Sequence, residues 1–474
     1  MSLHGMRVFL VAMSILALFA SAALTIPTPA GPPNPEPVHG RIEHIDGVRV
    51  VHVFGTPDQM GYAHGWLVGE DFVIGLQELF GQLPPAAASL ADFMRSWTPM
   101  IKLTDAQRAE LAAAYRGMRD RMGTQSMQIP GLDRCVDETD LLVWNGYDMF
   151  RAVGCSGFSA WGERTKDGEV ITARTLDLAV FSPRWVESQI LLVRHPAEGK
   201  ATACITPVGL LGCMTGINED GVCGFLHDGD GDDMMSVLEP ERPVMFAIRD
   251  ILERATANDA FSIAEEELAA QGPFPQSYMI RIVRPASGEE AARVFRLDAE
   301  GHGQNDAAEG LAITTNHYIT GDTAASPLPR GDSRRRYAKI ARVCGDTDPD
   351  LPITCETAWE AIRRVAADHP RYKTLHAMVA RPASGEIQIC VAGRDADGTL
   401  KAATAHPPTI MTLNQLFDAP PPMLKLRPAP APGISLTPGP GIHPTPTPGI
   451  HPTPAPGIRL TPGPGDTQPS PPTQ

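Results

Sequence analysis

The chain has 474 residues, enough to bury a substantial core and to hold two or three domains. Its formal net charge of −15 and isoelectric point of about 5.4 argue against a nucleic acid held by phosphate contacts and against an anionic membrane surface.

The first residues read as an export signal, with Arg7 in a short n-region, an apolar stretch from Val8 to Phe19, and Ala20-Ser21-Ala22 as a small-residue cleavage site. The apolar run is shorter than the roughly 20 residues a membrane span needs, so no membrane insertion is expected after residues 1–22 are removed. Residues 23–40 are a proline-rich linker. Two strands around Asp46-Gly47 are expected between Arg41 and Phe54. A helix starts at Thr56-Pro57-Asp58, runs through His64, and breaks at Pro84-Pro85. Further helices are expected from Thr104-Asp105 to about Met122 and from Asp137 to Met149. Residues 41–154 thus form a mainly helical N-terminal segment.

Beyond it strands dominate. They are expected at Phe158–Gly162, Glu169–Thr175, Gln189–His195, Ala201–Thr206, Leu210–Ile217 and Val222–His227, with a turn at Asn218-Glu219-Asp220-Gly221. Helices at Val244–Ala255 and Ala260–Ala270 follow, then strands at Tyr278–Arg284, Ala292–Leu297 and Gly310–Thr315. Helices at Ser333–Cys344 and Thr354–Asp368 and strands at Leu375–Arg381 and Glu386–Ala392 complete a layered α+β domain over 155–418. In 419–474, glycines recur every eight residues at Gly433, Gly441, Gly449, Gly457 and Gly465 among prolines. Such a repeat cannot build a core and reads as a disordered tail or spacer.

Eight cysteines are too sparse for a disulfide scaffold, although an exported chain can form disulfides. Cys155 opens the expected hairpin, whose return strand brings Arg174 and Asp177 back toward it. Cys155 is either a small buried apolar residue or a nucleophile. A nucleophile needs a base, a group to orient that base, and oxyanion donors. Polar residues at strand ends and turns that could supply them are Arg174, Asp177, Asn218, His227, Asp228, Asn316, His317 and Arg336. Each has a structural alternative: a local ion pair, a turn residue, a strand end, or a solvated helix start.

The run Gly154-Cys155-Ser156-Gly157-Phe158-Ser159-Ala160-Trp161-Gly162, followed by Thr165-Lys166-Asp167-Gly168 and Ala173-Arg174-Thr175-Leu176-Asp177, resembles the nucleophile region of the C45 peptidases. These are the acyl-coenzyme A:6-aminopenicillanic acid acyltransferase family of cysteine N-terminal-nucleophile (Ntn) hydrolases, related to the choloylglycine hydrolases. Gly61-Tyr62-Ala63-His64-Gly65, Gly216–Val222, Thr315-Asn316-His317-Tyr318 and Asp332-Ser333-Arg334-Arg335-Arg336-Tyr337 are similar to further family stretches in the same order. The resemblance covers about residues 45–418.

It implies a four-layer αββα sandwich and autocatalytic cleavage between Gly154 and Cys155. The two pieces would form an α/β heterodimer from one precursor. The freed α-amine of Cys155, with a reference pKa near 8, would then serve as the thiol's base. By resemblance Asp177 orients that amine, Arg174 lies beside the thiol, Asn316 holds the nucleophile region and the oxyanion, and Arg336 braces the carboxylates. Two departures stand out. His227-Asp228 occupies the place where relatives often carry an oxyanion-stabilising Asn, and Thr175 follows Arg174 where relatives often have Asn. The implied activity is cleavage or formation of an amide of a small N-acyl substrate through a thioester on Cys155, with no cofactor.

Two other readings compete. Cys155 could work with a distant histidine, His317 or His376, as in papain-like chemistry. Alternatively, Asp228-Gly229-Asp230-Gly231-Asp232-Asp233 could be a calcium loop of a surface module, although it lacks the closing Glu. Zinc is disfavoured because no Cys-x-x-Cys or His-Glu-x-x-His pair exists. An exported, periplasmic, extracellular or cell-surface location is expected.

Overall fold

The structure, a computed structural model, describes residues 35–82, 87–146, 153–180, 182–229, 242–271, 277–286, 290–298, 301–305, 310–319, 330–345 and 352–418. The expected signal peptide, most of the linker, Asp230–Asp233 of the acidic turn and the repeat of 419–474 lie outside them.

Two sheets face each other. The first has nine strands in the order Gly40–Ile45, Val48–Gly55, Gln189–Pro196, Thr202–Pro207, Thr215–Asn218, Cys223–Asp228, Tyr278–Val283, Ala292–Asp298 and Gly301–Gln304. All neighbours are antiparallel except Val48–Gly55 and Gln189–Pro196, which run parallel. The second sheet runs Leu311–Thr314, Val153–Gly162, Gly168–Ala179, Tyr372–Arg381, Glu386–Val391 and Thr409–Thr412, with Asp368–His369 added beside Tyr372–Arg381.

Side-chain alternation along the strands sets the layers. Leu191, Val193, Ile205, Phe225 and Met279 of the first sheet pack against Met378, Ile387 and Ile389 of the second, so one core lies between the sheets. The opposite face of the first sheet, including Val51, Val53, Leu192 and Ile280, is covered by the helices Pro57–Gln82, Asp105–Met122, Val244–Arg254 and Ala260–Ala270. On the second sheet, Phe158, Ile171, Ile313, Ala377 and Val379 pack against the helices Arg330–Gly345 and Cys355–Arg363. The order helix, sheet, sheet, helix is the expected αββα sandwich. Each fully buried Phe or Met in these cores contributes about 1.5–3 kcal/mol.

The N-terminal segment is built into this sandwich. It supplies the two strands at one end of the first sheet and the two longest covering helices. A capping box explains where the second of these starts. Thr104 accepts from the Gln107 amide, and the Gln107 side chain accepts from the Thr104 amide. Buried Glu110 on that helix receives hydrogen bonds from Arg194 of the parallel strand (3.1 Å from Nη2) and Arg249 of the next helix (3.0 Å).

Some expected boundaries move for local reasons. The strand expected from Leu210 begins only at Thr215, because Gly209 turns the chain at a φ of 82° and the Leu210 amide donates back to Pro207. The helix expected to reach Asp368 stops at Arg363. His369 precedes Pro370, which favours extended backbone, and Asp368–His369 pairs as a strand.

Candidate active site

Cys155 is the third residue of Val153–Gly162, at the end of an interior strand of the second sheet. Its side chain faces the gap between the sheets and is fully buried. The register sets Cys155 opposite Leu176, Gly157 opposite Arg174, and Gly154 opposite Asp177. Arg174 Nη2 donates to Cys155 Sγ at 3.2 Å, and Arg174 Nη1 donates to the Leu226 carbonyl of the facing sheet at 2.6 Å. The thiol itself donates to that carbonyl at 3.4 Å. Burial pushes the thiol up to about 12, opposed by Arg174 and reinforced by Asp228 and Asp177. The resting sulfur is therefore a protonated thiol that needs a base before it can attack.

The backbone of Cys155 is clamped from the other side of its sheet. Its amide donates to Asn316 Oδ1 at 2.8 Å, and its carbonyl accepts from Arg336 Nη1 at 2.5 Å. Arg336 also donates to Ser156 Oγ (2.6 Å) and Asn316 Oδ1 (2.9 Å), while Asp332 accepts from its Nε at 2.9 Å. Asn316 is fixed in turn: its amide donates to Ser333 Oγ at 2.8 Å, and its Nδ2 donates to the Asp228 carbonyl at 3.0 Å. Arg336 thus braces a carboxylate, Asp332, but also grips the nucleophile's own backbone.

Asp177 lies beside the Gly154–Cys155 bond. Thr374 Oγ1 donates to its Oδ1 at 2.5 Å. Burial raises its carboxyl to about 6, against the Thr374 hydrogen bond and the nearby charges of Arg336 and Arg174. Glycine at 154 leaves room for the Tyr372 hydroxyl: a Cβ there would sit 2.0 Å from Tyr372 Oη and 3.3 Å from Asp177 Cβ.

The other residues singled out from sequence separate into two groups. His227 reaches the inter-sheet gap from Cys223–Asp228, fully buried, with no hydrogen-bond partner on either ring nitrogen among the described residues. Burial and the neighbouring Arg174, Arg281 and Arg336 hold its imidazole neutral, well below the usual range. Asn218 is a turn residue: its Oδ1 accepts from the amides of Asp220 and Val222, and its Nδ2 donates to Leu252 and Ala255 carbonyls. His376 is engaged by Thr215 (2.8 Å) and Gln189 (3.1 Å), and His317 by Ser333 (2.8 Å) and Thr315 (3.1 Å). Among the described residues no imidazole hydrogen-bonds Cys155 Sγ. Sequence reasoning missed Thr374, Tyr372 and Arg281. The first two sit on the strand next to that of Asp177. Arg281 is an arginine inside an otherwise buried apolar strand, a signal readable from Tyr278-Met279-Ile280-Arg281-Ile282-Val283.

The family model described as acyl-coenzyme A:6-aminopenicillanic acid acyl-transferase matches residues 163–396. That stretch, just under half of the chain, is similar to this family. The match takes in Arg174, Asp177, His227, Asn316 and Arg336 and begins eight residues after Cys155. Curated relatives of this chain include protein dcd1B of Dictyostelium discoideum, 25% identical over 230 residues, covering 44% of this chain and 43% of that one. An uncharacterized protein of Archaeoglobus fulgidus is 23% identical over 205 residues, covering 37% of this chain and 32% of that one. The chain thus spans less than half the length of either relative. Solved structures with some likeness include the Caenorhabditis elegans ortholog of N-acylethanolamine-hydrolyzing acid amidase (16% identity, TM-score 0.37, 48% of this chain and 93% of that one). Another is a conjugated bile acid hydrolase mutant from Clostridium perfringens (13%, TM-score 0.38, 58% and 97%). The fold rests on the strand order and layers above.

Proposed function

We propose that this chain is a member of the acyl-transferase family whose model it matches, and a cysteine Ntn enzyme that cleaves or forms the amide bond of a small N-acyl substrate through a thioester on Cys155. The observation that carries the reading is the convergence on one residue: Arg174 on its sulfur, Asn316 on its amide and Arg336 on its carbonyl.

The chemistry follows from these contacts. The thiol first attacks the Gly154 carbonyl, and the peptide bond is exchanged for a thioester as the Cys155 nitrogen leaves with a proton. Water then releases Gly154 as a carboxylate and leaves Cys155 with a free α-amine. That nitrogen is already held by Asn316 Oδ1, and Asp177 lies opposite the neighbouring Gly154 on the adjacent strand. An amine of reference pKa near 8 is substantially neutral at neutral pH and takes the thiol proton. Arg174 stabilises the thiolate so formed. The thiolate attacks the substrate carbonyl, and His227, as a neutral N–H donor, receives the oxyanion. The amine departs with a proton, and water or a second amine resolves the thioester. In this account the protein is exported and its N-terminal piece stays bound as one half of a heterodimer. The papain-like alternative is disfavoured by the engagement of His317 and His376 elsewhere.

The test is turnover of a panel of N-acyl amino acids, N-acyl amines and penicillins by the purified protein. Release of the free amine from at least one member, abolished by Cys155→Ala, is expected. Equal turnover by Cys155→Ala would overturn the reading.

A further inference from the structure

Arg281 is fully buried in the gap between the sheets. Its Nη2 donates to the Ala173 carbonyl of the facing sheet at 2.8 Å, and its guanidinium lies 4.7 Å over the Phe225 ring. It reaches so close under the nucleophile strand that a Cβ on Gly157 would sit 2.6 Å from Nη2. Its Nε and Nη1 have no hydrogen-bond partner, and it forms no ion pair among the described residues. His227, two residues from Phe225 on the same face of its strand, has both ring nitrogens unpartnered among the described residues, and Arg174 Nε is unpartnered among them as well. Buried polar groups are nearly always satisfied, and a buried charge without a partner costs several kcal/mol. Here three donor side chains with unmet capacity border one gap, beside a nucleophile.

We infer that Arg281 forms a buried seat for a carboxylate of the substrate, next to Cys155. The ligand's being a substrate rests on the amide-processing reading above; the seat itself does not. The charge points to a monoanion. Arg174 has Asp177 and Asp228 in its electrostatic surroundings, whereas among the described residues Arg281 has Arg174 and the thiols of Cys223 and Cys155 and no carboxylate. One negative charge balances Arg281. The free N–H groups of Arg281 donate to the carboxylate oxygens directly. The favoured substrate class is therefore an N-acyl amino acid, ahead of neutral N-acyl amines.

The test uses the purified full-length protein and a probe that cannot be hydrolysed: 4-oxoundecanoate, which is N-octanoylglycine with CH2 in place of the amide N–H. Its primary amide and acetate are the comparison probes, titrated by calorimetry. The carboxylate is expected to bind about tenfold or more tighter than its amide, the scale of one charge-assisted hydrogen bond. Arg281→Met should bring the two to parity, and Arg281→Lys should keep part of the difference. Equal binding of acid and amide to the unaltered protein, or a preference that survives Arg281→Met, would overturn the seat. Binding of acetate alone would overturn its assignment to a substrate. If Arg281→Met does not fold, the acid–amide comparison on the unaltered protein and on Arg281→Lys decides. Binding needs no turnover, so an inactive protein that still prefers the acid fails the amide reading alone, and an active one without the preference fails this inference alone.

Discussion

Asp177→Asn should make the protein more stable and less active, and the size of the gain can be worked from the site. The ordinary carboxyl value is 3.8, and burial raises that of Asp177 to about 6 in the folded chain. Below pH 3.8 the group is protonated in both the folded and unfolded chains and costs nothing. Between 3.8 and about 6 the unfolded chain ionises first, so folded stability falls by about 1.36 kcal/mol per pH unit. Above about 6 the penalty is constant at about 3 kcal/mol, the product of that slope and the shift. Asparagine retains an oxygen to accept from Thr374 and never ionises. The comparison belongs in a Cys155→Ala background, so that every chain is uncut, and is read by urea unfolding at pH 4 and pH 7.5. The asparagine chain should exceed its parent by about 3 kcal/mol at pH 7.5 and by almost nothing at pH 4. In the background with Cys155 intact, turnover should fall by about 10²-fold or more, the scale of lost general acid–base function. A loss of stability at pH 7.5 would refute the reasoning and make Asp177 a structural ion-pair partner.

Three further outcomes follow from the packing. Gly154→Ala should abolish cleavage, because the new methyl meets the Tyr372 hydroxyl, and Tyr372→Phe added to it should restore part of the cleavage seen by gel; full cleavage in Gly154→Ala would contradict the close approach. Glu110→Ala leaves Arg194 and Arg249 without their shared buried carboxylate and should cost about 3–5 kcal/mol in urea unfolding, whereas a change under 1 kcal/mol would show that solvent reaches the pair. Ending the chain after Asp418 should keep turnover within a few-fold, and loss of activity would give residues 419–474 a part in the site.

Much of this was legible in the sequence. Hairpin chemistry at Lys166-Asp167-Gly168 placed Arg174 and Asp177 near Cys155, because register in an antiparallel pair follows from the turn. The long-range partners were legible only through resemblance: Asn316 and Arg336 lie 161 and 181 residues beyond Cys155, and no local pattern encodes that distance. Asp177 gained its Thr374 contact from a strand 197 residues away, which periodicity cannot reveal. Thr409–Thr412 went unread because an edge strand of four residues with alternate positions exposed carries little apolar signal. Arg281 could have been found by asking why an arginine interrupts a buried strand.

The central claim is that Cys155 becomes an N-terminal nucleophile. Intact-mass analysis with N-terminal sequencing of the purified protein tests it most directly. The account predicts two pieces, the larger beginning at Cys155, and a single uncut chain for Cys155→Ala. One uncut chain that turns over N-acyl substrates would contradict it.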